Sequence, residues 1–152
     1  MRFRIVPAAL AASLLAMAGP FPLSTAAAQP NPSQEHTENR EVVTPSGLKY
    51  TDLKIGQGET ASDGKILEVN YSGWLEKGNV KFDSSIEDHP FTFRLGAGDA
   101  IKGWDEGLTG MKVGGKRRLV IPPELGFGKQ GVGSVVPPNA VLVYEFELLA
   151  VR

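Results

Sequence analysis

Apolar and polar residues alternate through much of the chain beyond Gly47. In Ile66-Leu67-Glu68-Val69-Asn70-Tyr71, Leu67, Val69 and Tyr71 share one face and Glu68 and Asn70 the other, because strand side chains point alternately to opposite sides. This predicts a half-buried strand with Tyr71 turned inward. Leu48 to Ile55 has the same mixed character, and Gly56 to Gly64 supplies turn chemistry for pairing these two strands antiparallel. After a turn at Gly78-Asn79, Phe91, Phe93 and Leu95 fall on a common face of another strand. Lys116 to Ile121 and Val141 to Val151 read as the last two; in the latter Leu142, Tyr144, Phe146 and Leu148 face one way and Glu145 and Glu147 the other. The run Asp99 to Met111 differs, since Ile101, Trp104 and Leu108 recur at helical spacing, with Asp99 as N-cap and Gly110 as stop. Strands in succession with one short helix predict an α+β domain: a curved antiparallel sheet wrapped around the helix, with room for a pocket between them.

The N-terminus follows another pattern. Arg2 and Arg4 precede an apolar run, Ile5 to Gly19, and Ala26-Ala27-Ala28 ends the segment, as in a secretory signal peptide cleaved after Ala28. The run holds Pro7 and falls short of the roughly 20 apolar residues that span a bilayer. Gln29 to Val43 is polar, contains Pro30 and Pro32, and reads as a flexible leader. The expected plan is therefore a signal peptide (1–28), a leader (29–43) and one domain (44–152). The product is expected to be exported, to the periplasm or else to the medium, with no membrane association after cleavage.

Composition narrows the chemistry. Sixteen Lys and Arg against seventeen Asp and Glu leave no broad basic field for nucleic acid. Loss of Arg2 and Arg4 on cleavage, with no acid lost, moves the net charge from −1 to −3. The absence of cysteine excludes disulfides, thiolate nucleophiles and iron–sulfur clusters. With only His36 and His89 available, no metal site and no cofactor is expected. Gly126-Phe127-Gly128-Lys129-Gln130-Gly131 matches a dinucleotide fingerprint but follows Pro122-Pro123 instead of a strand that feeds a helix, so it reads as a loop. Gly110 to Lys116 fails as a phosphate loop because Arg117 stands where Ser or Thr is needed. Lys116-Arg117-Arg118 reads as the solvated start of a strand. Ser84, Ser85 and Ser134 have no activating base near them in the sequence.

Four segments carry a resemblance: Val69-Asn70-Tyr71-Ser72-Gly73-Trp74-Leu75, Lys81-Phe82-Asp83-Ser84-Ser85, Ile101-Lys102-Gly103-Trp104-Asp105-Glu106-Gly107-Leu108, and Pro137-Pro138-Asn139-Ala140-Val141-Leu142-Val143-Tyr144-Glu145. In order and spacing the chain from Gly47 to Arg152 resembles the FKBP family of peptidyl-prolyl isomerases. The resemblance implies a pocket between sheet and helix, with Trp104 as its floor. It places Tyr71, Phe82, Asp83 and Phe127 in catalytic positions, and Phe91, Phe93, Ala100, Ile101, Trp104, Val136 and Tyr144 in substrate-binding ones. It also implies that the Ile101 main-chain N–H and a hydroxyl at position 127 bond ligand carbonyls. Here the chain departs from the family, with Phe127 in place of the usual Tyr and Ala100 in place of the usual Val. The turn between Ser85 and Pro90 is one residue shorter than in well-known eukaryotic members.

These residue types suit rotation about a peptide bond, which breaks no covalent bond. The barrier of ~18 to 20 kcal/mol comes from amide resonance, and an apolar pocket disfavours the charge-separated planar form relative to the twisted one. Proline-containing clients are the expected partners, macrolides the expected inhibitors and a monomer the expected state. A non-catalytic module that holds proline-containing segments is the competing reading. A surface factor of this family would carry a long helical dimerisation segment, for which the polar leader is too short.

Overall fold

The structure, a computed structural model, describes residues 38–86 and 88–152. The signal peptide, its cleavage site, the leader as far as Thr37, and Glu87 in the turn before Pro90 lie outside the described residues. Seven strands and one helix follow in the order β1 (Glu41–Val43), β2 (Lys49–Lys54), β3 (Ile66–Leu75), β4 (Val80–Ser84), β5 (Phe91–Arg94), α1 (Lys102–Leu108), β6 (Lys116–Ile121) and β7 (Leu142–Val151). They form one antiparallel sheet ordered β1-β2-β6-β7-β3-β4, with β5 also paired to β3. The expected sheet around one short helix is what the chain forms. Val42 and Val43, read as the end of the leader, belong to the sheet through pairs with Tyr50 and Lys49.

Two local expectations are corrected. β2 and β3 do not pair with each other. The segment between them instead bonds to the chain after α1: Ala61 N–H donates to Met111 O at 2.7 Å, Gly110 N–H to Ala61 O at 2.8 Å and Val113 N–H to Glu59 O at 3.0 Å. Those bonds carry the chain away from β2 before β3 begins. The helix is also shorter than Asp99–Met111, with Ile101 at its N-cap and no side-chain capping bond. The Asp99 carboxylate accepts the Arg94 N–H at 3.1 Å instead.

Helix α1 lies close on β6 because its inner surface carries glycines. A Cβ at Gly103 would sit 2.6 Å from Ile121, and one at Gly107 would sit 2.5 Å from Leu119. Two glycines in seven residues weaken a helix by about 1 kcal/mol each relative to alanine, so packing and a clamp hold this one. The clamp is Arg117, buried on the same face of β6 as Leu119 and Ile121, not solvated as its basic neighbours suggest. It donates to both Asp52 carboxylate oxygens (2.6 and 3.1 Å) and to the C-terminal helix carbonyls Gly107 O (2.9 Å) and Thr109 O (3.3 Å). Its guanidinium also lies 4.5 Å from the centre of the Tyr50 ring. A cation at the negative end of the helix dipole is favourable, and here it ties helix to sheet. Leu67, Val69, Leu108, Leu119, Ile121, Leu142 and Phe146 fill the core between them.

Candidate active site

Trp104, on α1, is the centre of an aromatic bowl. Its ring meets those of Tyr71 (4.8 Å), Phe91 (5.8 Å), Phe93 (5.7 Å), Tyr144 (5.2 Å) and Phe146 (4.9 Å), each at a steep angle. Edge-to-face packing of this kind sets positive ring edges against negative faces, so it orients the rings as well as burying them. The strands supply these rings by alternation: β3 turns Tyr71 inward opposite Phe146 of β7, and Gly73 opposite Tyr144. Gly73 leaves the space that the Tyr144 ring occupies, since a Cβ there would lie 2.6 Å from it.

Over this floor is a cavity of about 200 Å³ lined by Tyr71, Asp83, Phe91, Asp99, Ala100, Ile101, Trp104, Phe127 and Tyr144. Eight of these nine are among the sequence-derived candidates or their aromatic neighbours; Asp99, read as a helix cap, is the addition. Phe82, Phe93 and Val136 stand behind the lining: Phe82 sets its edge on Tyr144 at 5.7 Å, Phe93 stacks under Phe91 at 5.9 Å, and Val136 is buried in the core. Phe146, on the inward face of β7 with Tyr144, joins the floor as well, although the resemblance does not place it in the site.

The polar part of the cavity is small and ordered. The Tyr71 hydroxyl donates to Asp83 Oδ2 at 2.9 Å, and the other oxygen, Oδ1, accepts the Ser84 N–H at 2.9 Å. Burial, the bond to Asp83 and its charge push the Tyr71 phenol up to about 12. Burial first, and then the charges of Asp83 and Tyr71, raise Tyr144 as well. The nearby Trp104 N–H pulls Tyr144 down without reaching hydrogen-bond geometry, and Trp104 Nε1 has no partner among the described residues. Both phenols are therefore protonated donors at neutral pH. The Ile101 N–H makes no hydrogen bond among the described residues. Phe127 reaches the cavity from a loop held by Gly128 N–H to Pro123 O (2.8 Å) and Gly131 N–H to Phe127 O (3.1 Å), and it brings no hydroxyl.

A family model described as FKBP-type peptidyl-prolyl cis-trans isomerase matches residues 57–149. The chain belongs to this family. An FK506-binding protein of Neisseria meningitidis serogroup B is 55% identical over 106 residues, which span 69% of this chain and 96% of that one. FK506-binding protein 4 of Dictyostelium discoideum is 49% identical over 109 residues, 72% of this chain and 29% of that longer protein. Among solved structures, AtFKBP13 superposes with a TM-score of 0.69 at 38% identity, covering 74% of this chain and 99% of that one. FkpA from Escherichia coli gives 0.68 at 44% identity, covering 76% of this chain and 53% of that one. The FKBP match takes in β3 to β6 and most of β7, and with them every residue that lines the cavity. Among the described residues, no helix is long and apolar enough to cross a membrane, and no three His, Asp or Glu side chains gather as a metal site requires.

Proposed function

We propose that this isomerase speeds X-Pro rotation in exported proteins as they fold, by holding the twisted amide in the cavity over Trp104. The observation that carries the reading is the pairing of a buried aromatic floor with an ordered polar edge, Tyr71–Asp83. Uncatalysed X-Pro rotation takes tens to hundreds of seconds. The proline ring packs on Trp104 between Phe91 and Tyr144. The amide loses its charge-separated planar form more readily there than in water, so binding favours the transition state over the ground state. No proton moves and no covalent bond forms. Tyr71, Asp83, Phe82 and Phe127 act on the reacting amide or hold the groups that do; Phe91, Phe93, Ala100, Ile101, Trp104, Val136 and Tyr144 shape the site. The free Ile101 N–H takes a substrate carbonyl.

Export rests on the pattern of residues 1–28, and the same pocket is proposed to take FK506-type macrolides, for which several relatives are called FK506-binding proteins. The mature chain is proposed to act as a monomer. A proline-limited refolding assay with the mature protein tests the reading: acceleration at substoichiometric protein supports it. Tight binding of proline peptides without any acceleration would replace it with a holding module.

A further inference from the structure

A larger depression adjoins the cavity over Trp104 on one side. Ala100, Ile101 and Phe127 line both spaces. Beyond this shared wall the groove runs between the start of α1 and the loop after β6, with a volume of about 600 Å³ against about 200 Å³ for the cavity. Such a volume is in the range of sites that take a ligand of several groups. A proline ring and its amide do not need it.

The charges of the two spaces differ. The cavity holds Asp83 and Asp99, both already bonded, to Tyr71 and Ser84 in one case and to the Arg94 N–H in the other. The groove holds Lys102 and Lys129 against one carboxylate, Glu124, and none of the three has an ion pair among the described residues. All three are exposed, so their heads are free to meet an incoming group.

We propose that this groove is a subsite for the polypeptide that flanks the isomerised proline, and that Lys102 and Lys129 select an acidic side chain there. The inference rests on the cavity being the proline site. Ala100, Ile101 and Phe127 set the groove next to the cavity, within reach of a chain that leaves it on that side, and two unpaired cations decide what that chain meets. Flanking contacts formed equally in the planar and twisted states lower KM and leave kcat alone. Exposed charges act weakly and are screened by salt.

The test uses peptides that share one X-Pro bond and carry Glu, Gln or Lys at successive positions on either side of it. The expected result is a preference for Glu over Lys on one side of the proline, about fivefold in kcat/KM at low ionic strength, expressed in KM and fading with added salt. The double variant Lys102→Glu, Lys129→Glu should reverse that preference. Equal kcat/KM for all peptides, or a preference that the double variant keeps, overturns the proposal. Failure of the isomerase reading looks different, because then no peptide is turned over.

Discussion

Ser85 takes both backbone polar groups of Tyr71: its N–H donates to the Tyr71 carbonyl at 2.9 Å, and its hydroxyl accepts the Tyr71 N–H at 2.9 Å. The last ladder pair between β3 and β4 is Ser72 with Ser84, so the Ser85 hydroxyl stands in for the carbonyl that a longer strand would offer. Ser85→Ala should leave a buried N–H unpaired at a cost of about 1–3 kcal/mol. It should also loosen Tyr71 against Asp83 and lower kcat, while Ser85→Thr, which keeps the hydroxyl, recovers part of both. Thermal unfolding and turnover check this together, and full kcat in Ser85→Ala would count against the coupling.

Asp83→Val removes the acceptor of the Tyr71 phenol. Asp83 is itself exposed, so solvent weakens the bond, and a loss of about tenfold in kcat/KM is expected. Phe82→Ala removes the edge that steadies Tyr144 and should also lower turnover. Neither change should unfold the protein, as circular dichroism would show. Full activity in both variants would place the reaction elsewhere.

Phe127→Tyr adds a third hydroxyl to the cavity, beside those of Tyr71 and Tyr144. Turnover should stay equal or rise, and FK506 should bind more tightly by ~0.5 to 1.5 kcal/mol, which calorimetry resolves. Weaker binding would mean that a hydroxyl at position 127 does not bond the ligand.

Asp52→Ala leaves the buried Arg117 guanidinium without a counter-charge, held by the Gly107 and Thr109 carbonyls and the Tyr50 ring. Breaking a buried pair in this way costs about 3–5 kcal/mol. A large drop in unfolding midpoint is the expected outcome, and a change under 1 kcal/mol in denaturant titration would show that the helix clamp contributes little.

Alkaline pH should weaken the fold through Tyr71. Its folded pKa of about 12 lies above the ordinary 10.0, so between those values the unfolded chain releases a proton that the native state keeps. The contribution is fully present below pH 10 and is lost as pH rises toward 12. Tyr71→Phe should make that decline shallower, with Tyr144, raised in the same direction, carrying part of what remains, as the unfolding midpoint against pH would show.

The sheet, the inward face of β3 and the aromatic partners on β7 were legible because strict alternation fixes which side chains meet. Strand β4 was not: Val80 is exposed and Phe82 only half-buried, so the edge strand shows little apolar contrast. Apolar spacing overstates the helix because Ile101, Leu108 and Met111 keep their periodicity past the points where the backbone turns extended, at Ile101 and at Thr109. Arg117 is hidden for a different reason. Its own alternation with Leu119 and Ile121 marks it as inward, but the Asp52 that neutralises it is distant in sequence. Asp99 illustrates a further limit, as spacing alone does not distinguish a carboxylate that caps a helix from one that holds a neighbouring strand and faces the cavity.

Strand β7 follows every other strand in the chain yet lies between β6 and β3. Until those ten residues emerge, the two parts of the sheet have no seam, and Tyr144 and Phe146 are missing from beneath Trp104. Their pairing joins segments far apart in sequence, so loop closure must be met before contacts reward it. A chain stopped short of β7 therefore has neither a closed sheet nor a complete aromatic floor.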